Sequence, residues 1–313
     1  MELQHVAVAA IVTLGFLSLI TRLAALSKWA WTMFLRPPKD LKEHYGLWAL
    51  VTGPTDGIGR ALALDLASRG LNLVLVGRDP AKLASTRQLI QTLGPGVSVR
   101  TVEIDFASAG GEEITRKIEE GIEGLDLGLV VNNAGVSPPA RFFHEFDAGE
   151  EENSIKVNVA AATWVTRAVV PGMVRRRRGA IVNVGSGSSE LPSYPLLAVY
   201  AATKSYIAQL SRCINLEYKQ YGIDVQCQIP LLVATKMSMI RRSTFFIPSA
   251  ETYSKASLRA IGYEQITVPY WAHSLQWCIL RSLPEPLVDW LLLKYFTGLR
   301  GRLLKKQLRK EKQ

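Results

Sequence analysis

Cysteine is scarce in this sequence, and its three residues stand far apart. Cys213, Cys227 and Cys278 are odd in number and show no paired spacing, which excludes a disulfide framework and a zinc site built from cysteine pairs. The four histidines are equally dispersed. His144 and His273 stand alone, so we expect structural or surface roles for them and no metal site. The cysteine usage indicates a reducing compartment.

Internal repeats and long low-complexity linkers are also lacking, so a second independent domain is not expected. The chain has 313 residues, of which 48% are hydrophobic and 20% are charged. It is therefore long enough and apolar enough to bury a sizeable core, which excludes a disordered or fibrous protein.

Acidic residues are in the minority, because 27 Asp and Glu stand against 37 Lys and Arg and leave a net charge of +10. This excess of positive charge is compatible with three kinds of partner: nucleic acid, an anionic membrane surface or a phosphate-rich ligand. Residues 294–313 hold eight basic residues and one acidic residue, so most of the excess lies in this tail. Its interleaved leucines predict either a basic amphipathic helix on anionic lipid or a solvated helical end. No nucleic-acid-binding module is recognisable, so nucleic acid is not an expected partner.

Charged residues are absent between Glu2 and Arg22, and residues 6–20 are almost wholly apolar. A helix through this stretch has the ~20 residues that a bilayer core requires. Basic residues follow it, with Trp29 and Trp31 among them, as at a cytoplasmic membrane interface. A cleaved signal would begin with a positive charge, whereas here Glu2 precedes the apolar run. We therefore predict a single-pass anchor with a basic flank over 1–45 and a catalytic part that faces the cytosol.

From residue 46 the chain alternates short apolar runs with amphipathic stretches, which is typical of an α/β protein with a parallel sheet. We predict a Rossmann-type, doubly wound sheet with helices on both faces over 46–265, including a substrate lid at about 237–265. Residues 266–313 form a hydrophobic and basic tail, which is either a membrane-leaning entrance for a lipid chain or a terminal core helix. The predicted strands are 47–52, 71–76, 97–103, 127–132, 180–184 and 224–228.

The first strand ends in a glycine-rich turn, Thr52 to Gly59, that opens an amphipathic helix. Glycines there allow the backbone to approach a pyrophosphate held at the helix N-terminus; the alternative is an ordinary glycine-bearing connection. Arg78 follows the second strand, where an NAD-selective site usually has an acidic residue. The arginine favours a 2′-phosphate and hence NADPH, although Arg78 as a solvated residue and Asp79 as the ribose partner form the alternative.

The second half carries residues suited to proton transfer. Tyr200 and Lys204 are four residues apart on a predicted helix, so they share one face. A neighbouring cation favours the phenolate, and we expect Lys204 to lower the pKa of Tyr200 and make it a proton donor. Without other motifs beside it, a tyrosine and lysine pair at this spacing more often belongs to the polar face of an ordinary amphipathic helix. Ser186 lies just past the fifth strand, where its hydroxyl can donate to a substrate carbonyl.

In this order the motifs resemble the short-chain dehydrogenases/reductases over about residues 47–235. They comprise the glycine turn, the run Asn132-Asn133-Ala134-Gly135 and the serine, tyrosine and lysine just described. The resemblance implies that Ser186 polarises the carbonyl, Tyr200 gives the proton, Lys204 holds the nicotinamide ribose and Asn158 organises a water. It also implies a cofactor-binding set of Gly53, Thr55, Asp56, Gly57, Ile58, Gly59, Arg78, Asp105, Asn132, Ala134, Gly135, Tyr200, Lys204, Val233 and Thr235.

The serine assignment leaves an alternative. Many family members have the serine thirteen residues before the tyrosine, and here that position is Gly187. We therefore predict Ser186, which keeps its place relative to the strand end, with Ser188 as the alternative.

Within the family, the chain resembles the membrane-bound 3-oxoacyl-CoA reductases of very-long-chain fatty acid elongation, and the plant forms above all. That resemblance implies NADPH-dependent reduction of 3-oxoacyl-CoA to 3-hydroxyacyl-CoA at the endoplasmic reticulum membrane. It also implies a long-chain acyl-CoA substrate, contact with membrane lipid and other elongation enzymes as possible partners. Two alternatives stay open: a 17β-hydroxysteroid or ketosteroid reductase of the same branch, and a catalytically inactive cofactor-binding partner of lipid enzymes.

Overall fold

The computed structural model describes residues 2–311, with side chains for residue 2 and for residues 4–305. The chain forms two compact units, Met1–Pro38 and Lys39–Gln313. The last two residues of the predicted basic tail, Lys312 and Gln313, lie outside the described residues, as do the side chains from Lys306 onward.

The first unit is one long helix, α1 (Glu2–Ala30), extended by a π-helical turn at Trp31–Leu35. Gln4–Leu35 is long and apolar enough to cross a bilayer, and its most apolar window is fully unburied, so it is a candidate membrane span. Ala148–Arg176 passes the same test of length and composition. Almost half of its apolar window is buried inside the second unit, however, which identifies it as core helix.

The second unit is built on a seven-stranded sheet in the order β3-β2-β1-β4-β5-β6-β7, in which every neighbouring pair is parallel. This confirms the predicted Rossmann-type sheet. The six predicted strands are present to within two residues at their ends, and a two-residue β7 was not predicted. The strands are β1 (Trp48–Thr52), β2 (Asn72–Gly77), β3 (Val99–Glu103), β4 (Leu127–Asn132), β5 (Gly179–Val184), β6 (Ile223–Gln228) and β7 (Ile266–Thr267).

The α-helices that the structure describes in the second unit connect and flank these strands. Their boundaries follow local chemistry: Asp79 caps α4 by accepting a hydrogen bond from the Lys82 amide, and Pro80 occupies the first helical position. The helices are α2 (Leu41–Tyr45), α3 (Gly57–Ser68), α4 (Pro80–Leu93), α5 (Gly111–Ile122), α6 (Ala148–Ile155), α7 (Ala161–Arg176), α8 (Ala198–Tyr218), α9 (Ala250–Ala260), α10 (Trp271–Ser282) and α11 (Glu285–Glu311).

Alternate residues of each strand face opposite layers, which is why the apolar runs are continuous. In β1, Ala49 and Val51 join one core cluster with residues of α3, α4 and α9. Leu50, between them, joins a second cluster with residues of α5 and α7. The helices therefore cover both faces, and the strand order reverses between β1 and β4, where such sheets form a ligand crevice.

Part of the predicted lid belongs to the core. Tyr253 and Leu258 of α9 are fully buried, and the helix packs against α3. The part of the predicted lid that forms α9 therefore contributes to the core, and the lid predicted for 237–265 stays a prediction. The tail beyond β7 folds into α10 and α11.

Candidate active site

The glycine-rich turn between β1 and α3 folds tightly at the crevice, so its own backbone segments lie very close together. Gly53 and Gly57 have left-handed φ values of 64° and 52°, which favour glycine. A Cβ on Gly59 would lie 2.2 Å from the carbonyl oxygen of Gly53 and 2.2 Å from the Nδ2 of Asn133. Only glycine fits there, and α3 begins at this turn with its positive end facing the crevice. This cradle fits a pyrophosphate.

The remaining predicted residues of the turn lie around it. Asp56 caps α3, because its Oδ1 accepts from the Gly57 amide at 2.8 Å. Ile58 packs on both the sheet core and the cluster of Tyr253. Thr55 is half-buried.

A segment that follows β6 reaches across the turn. The Thr235 methyl lies 3.3 Å from the position of a Cβ on Gly57, and Lys236 Nζ pairs with Asp56 Oδ2 at 2.6 Å. Val233 is buried beside it, and its carbonyl accepts from the Ser238 hydroxyl at 2.7 Å. The structure thus brings two distant predicted stretches together.

The two asparagines at the end of β4 have different surroundings. Asn132 is buried and its Nδ2 donates to Asn183 Oδ1 at 2.8 Å and to Thr166 Oγ1 at 3.1 Å. Its side chain therefore lies in the core and not at the predicted cofactor crevice. Asn133, which we did not assign, donates from Nδ2 to the carbonyls of Thr52 and Gly53 at 3.0 and 3.2 Å and fixes the glycine turn.

Three other predicted positions line the same edge of the sheet. The Ala134 amide donates to Thr52 Oγ1 at 3.0 Å. A Cβ on Gly135 would lie 3.5 Å from Lys204 Nζ, so the backbone passes close to that ammonium. Asp105 follows β3 and is exposed, and its Oδ1 accepts from the Ala107 amide at 3.1 Å.

Arg78 lies just beyond β2 and is exposed, and its side chain has no hydrogen bond or ion pair within the described part of the chain. Asp79 beside it is engaged in capping α4 and in an ion pair with Lys82 Nζ at 2.9 Å. Hydrogen bonds from Lys82 lower the pKa of the Asp79 carboxyl. The carboxylate of Asp79, which could have bound a ribose, is therefore already engaged with Lys82, whereas the Arg78 guanidinium is available to a ligand.

Ser186, Tyr200 and Lys204 come together where β5 ends and α8 begins. Lys204 is buried, its Nζ donates to the carbonyl of Val184 at 2.9 Å, and it lies 5.9 Å from the ring centroid of Tyr200. Hydrogen bonding from Ser186 acts to lower the pKa of Tyr200. A proton donor, a hydroxyl donor and a cation thus share one edge of the crevice with the glycine turn.

Burial has the largest effect on the pKa values of Tyr200 and Lys204, which we did not expect. Burial raises the pKa of Tyr200, and the opposing hydrogen bond of Ser186 is the weaker effect. Burial also lowers the pKa of Lys204 from 10.5 to about 8. Burial therefore opposes the lowering of the Tyr200 pKa that we expected from Lys204, and the effect of Lys204 itself stays a prediction.

The two candidate serines have different surroundings. Ser186 Oγ accepts from the Ser188 amide at 3.2 Å and is close enough to Tyr200 to bias its pKa. Ser188 is buried, and its Oγ has no hydrogen-bond partner among the described residues. The geometry favours Ser186.

Asn158 lies in a π-helical turn, Lys156–Ala160, and its side chain is fully engaged. Its Oδ1 accepts from the Val136 amide at 2.8 Å, while Nδ2 donates to the Val136 carbonyl at 2.9 Å and to Thr203 Oγ1 at 3.1 Å. The amide thereby ties the irregular segment just after Gly135 to α8, the helix that carries Lys204. Among the described residues, no group of three or more His, Cys, Asp or Glu is placed to hold a metal ion.

Comparison with known proteins identifies the scaffold. The family model for short chain dehydrogenase matches residues 47–244. The chain belongs to the short-chain dehydrogenase family. It is therefore an oxidoreductase by family, with a site for a nicotinamide cofactor, as the resemblance implied.

Curated relatives place this dehydrogenase more narrowly. A very-long-chain 3-oxoacyl-CoA reductase-like protein of Arabidopsis thaliana is 48% identical over 93% of this chain and 94% of its own length. The very-long-chain 3-oxoacyl-CoA reductase of Mus musculus is 40% identical over 84% and 83% of the two chains. An inactive hydroxysteroid dehydrogenase-like protein 1 of Pongo abelii is 38% identical over 87% and 80%. Relatives at similar identity thus bear the names of active and inactive proteins.

Among solved structures, a short-chain dehydrogenase from Sphingobium yanoikuyae in complex with NADPH superposes with a TM-score of 0.65. It is 28% identical, and the match covers 77% of this chain and 95% of that one. The comparison supports a nicotinamide cofactor for this fold.

Proposed function

We propose that this dehydrogenase reduces very-long-chain 3-oxoacyl-CoA to 3-hydroxyacyl-CoA with NADPH during fatty acid elongation. The observation that carries the proposal is the placement of Ser186, Tyr200 and Lys204 on the same sheet edge as the glycine turn. The names of the plant and mouse relatives support the substrate class.

The glycine turn and Lys204 would hold a nicotinamide cofactor, which would supply the hydride for the carbonyl carbon. Ser186 donates a hydrogen bond to the carbonyl oxygen as negative charge develops on it, and Tyr200 delivers the proton. Lys204 stabilises the phenolate that is left, and its two ammonium protons not used on Val184 are available for ribose hydroxyls. Asn158 positions the backbone around Gly135, and its action on a water stays a prediction.

The preference for NADPH rests on Arg78, because a guanidinium binds a phosphate through charge-assisted hydrogen bonds. We expect Arg78→Gln to raise the KM for NADPH by about 10- to 100-fold, since such bonds contribute about 1.5–3 kcal/mol. The KM for NADH should change little. Arg87→Gln, which changes an exposed arginine on the following helix α4, is the matched control. Equal loss with both cofactors would contradict the 2′-phosphate assignment.

We also propose that Gln4–Leu35 anchors the protein in the endoplasmic reticulum membrane with its catalytic unit in the cytosol. The apolar span and the basic residues that follow it support this topology. Long-chain acyl-CoA, membrane lipid and other elongation enzymes are the proposed partners.

The central test follows NADPH oxidation by the purified full-length protein, first with a long-chain 3-oxoacyl-CoA and then with a 17-ketosteroid. Tyr200→Phe should lower kcat by about 10²- to 10⁴-fold, the usual contribution of a general acid, while NADPH binding stays within about twofold. Tyr206→Phe removes another phenol of α8, whose hydroxyl lies 3.1 Å from Thr163 Oγ1, and should leave activity unchanged.

Each other outcome identifies an alternative. Faster turnover of the steroid would support the ketosteroid reductase. Tight NADPH binding without turnover of either substrate would support the inactive membrane partner. Full activity of Tyr200→Phe would remove the phenol from the mechanism.

A further inference from the structure

The terminal helix α11 has two apolar faces, and the inner one packs beside the candidate active site. Val288 and Phe296 are 1% and 4% exposed. The Phe296 ring lies 4.6 Å from that of Tyr194, in a cluster that includes Leu197 and Tyr200. The inner face therefore forms part of the wall next to the proton donor.

Polar contacts fix α11 in this position at both ends of the inner face. The Ser193 hydroxyl donates to Asp289 Oδ1 at 2.5 Å, in the loop that leads to α8. Arg300 forms a two-pronged ion pair with Glu145, in the loop that follows β4. Both loops flank Tyr200, so the helix is attached to the rim of the site and not loosely appended.

The outer face of α11 is apolar although it meets solvent. Leu287, Trp290 and Leu291 are 41%, 54% and 39% exposed, and their spacing of three and four residues places them on one side of the helix. We call these three residues the outer strip. Exposed apolar residues grouped in this way mark an interaction surface rather than ordinary protein surface.

Basic residues extend the outer strip along the same side of the helix. Lys294 lies over the Trp290 ring, with Nζ 4.9 Å from the ring centroid. Arg302 follows at the same helical phase, and both Arg302 and Lys305 are exposed. Protein–protein interface cores are depleted of lysine. Tryptophan and leucine beside lysine and arginine are typical instead of helices that lie at the headgroup boundary of a bilayer.

We propose that the outer strip of α11 lies on the surface of an anionic lipid bilayer, so that the wall beside Tyr200 stands at the membrane. The acyl chain of a membrane-dissolved substrate then reaches the site along α11, a consequence that rests on the proposed function. The basic residues match anionic headgroups in charge. The same chain carries a candidate membrane span, so a bilayer is the surface most available to it.

Site-specific labelling of the full-length protein tests this placement. An environment-sensitive fluorophore is attached to Leu291→Cys, or to Leu216→Cys on α8 as the control, in a background with the exposed Cys213 and Cys278 changed to serine. Leu216 is also an exposed leucine, at 75%. In phosphatidylserine vesicles, the label at 291 should shift to the blue, brighten severalfold and be quenched by lipids with nitroxide on their acyl chains. The label at 216 should do none of these.

The outcomes separate this proposal from the others. A water-like emission at 291 in protein that floats with vesicles overturns the lipid contact and leaves the anchor and the reductase activity intact. A blue shift that disappears on dilution of the protein in lipid, without nitroxide quenching, overturns it in favour of a second copy of the chain. Failure of the protein to float with vesicles overturns both the anchor and the lipid contact.

A kinetic measurement gives a second readout. Trp290→Ser combined with Leu291→Ser changes only exposed positions and should raise the KM for a long-chain, membrane-dissolved 3-oxoacyl-CoA by about tenfold. The kcat, and the KM for a short water-soluble 3-oxoacyl thioester, should be unchanged. An equal effect on both substrates would overturn the proposal, because it would indicate a damaged site.

Discussion

Lys204 is predicted to cost the folded protein stability, although the proposed mechanism depends on it. Its pKa falls from 10.5 to about 8 because burial disfavours the ammonium. The difference of about 2.5 between these pKa values corresponds to about 3 kcal/mol. Lys204→Met removes this penalty and also loses the hydrogen bond to the Val184 carbonyl, worth about 1 kcal/mol. The cofactor-free variant should therefore be about 2 kcal/mol more stable than the parent at pH 7, yet inactive.

Thermal and denaturant unfolding of the cofactor-free full-length protein in detergent measures this difference. An increase of about 2 kcal/mol should raise Tm by roughly 3–6 °C in a chain of this size. Lys219→Met removes an exposed lysine just after α8 and should leave Tm within about a degree.

The lowered pKa of Lys204 also predicts how folding stability should change with pH. Between pH 8 and 10.5 the unfolded chain keeps the Lys204 proton while the folded chain releases it. Stability contributed by this group therefore rises with pH across that window. The rise should be absent in Lys204→Met and present in Lys219→Met. A Lys204→Met protein that is less stable than the parent at pH 7, with no change in the pH slope, would refute this reasoning.

Two further substitutions probe the cofactor turn and the segment behind it. Gly59→Ala should weaken NADPH binding at least tenfold in a titration, because its Cβ would collide with the Gly53 carbonyl, whereas Gly110→Ala has open space and should bind normally. His273 is buried, its Nδ1 accepts from the Leu231 amide at 3.3 Å, and burial lowers its pKa to about 4. Because the unfolded chain takes up a proton near pH 6.5 and the folded chain does not, His273→Gln should reduce the loss of stability between pH 6.5 and 4; an unchanged acid slope would contradict this.

The strands were predictable because each central one is a continuous apolar run between turn residues. Ile266–Thr267 was missed because two residues carry no periodicity, and the pairing with β6 alone defines that strand. The glycine turn was predictable from its place between a strand and a helix. Its close approach at Gly59 is a tertiary contact that spacing cannot show.

Strand geometry explains why the Asn132 and Asn133 side chains have different surroundings. Side chains alternate along β4, so Asn132 points to the same face as Val130, towards α7, and bonds Thr166. Asn133 comes two residues after Val131, so its side chain points to the same face of the sheet. That face is the α3 side, where the glycine turn lies. Counting the alternation forward from the apolar residues of β4 would have predicted that the Asn133 side chain faces the glycine turn.

Spacing on a helix also predicted that Tyr200 and Lys204 are neighbours, but it could not predict how deeply they are buried. Burial disfavours both the phenolate and the ammonium, so it raises the pKa of Tyr200 and lowers that of Lys204. The raised pKa keeps Tyr200 in its protonated form at neutral pH. A protonated phenol is the form required to donate a proton to a carbonyl oxygen, so the surroundings of Tyr200 suit the role that the proposed reduction gives it.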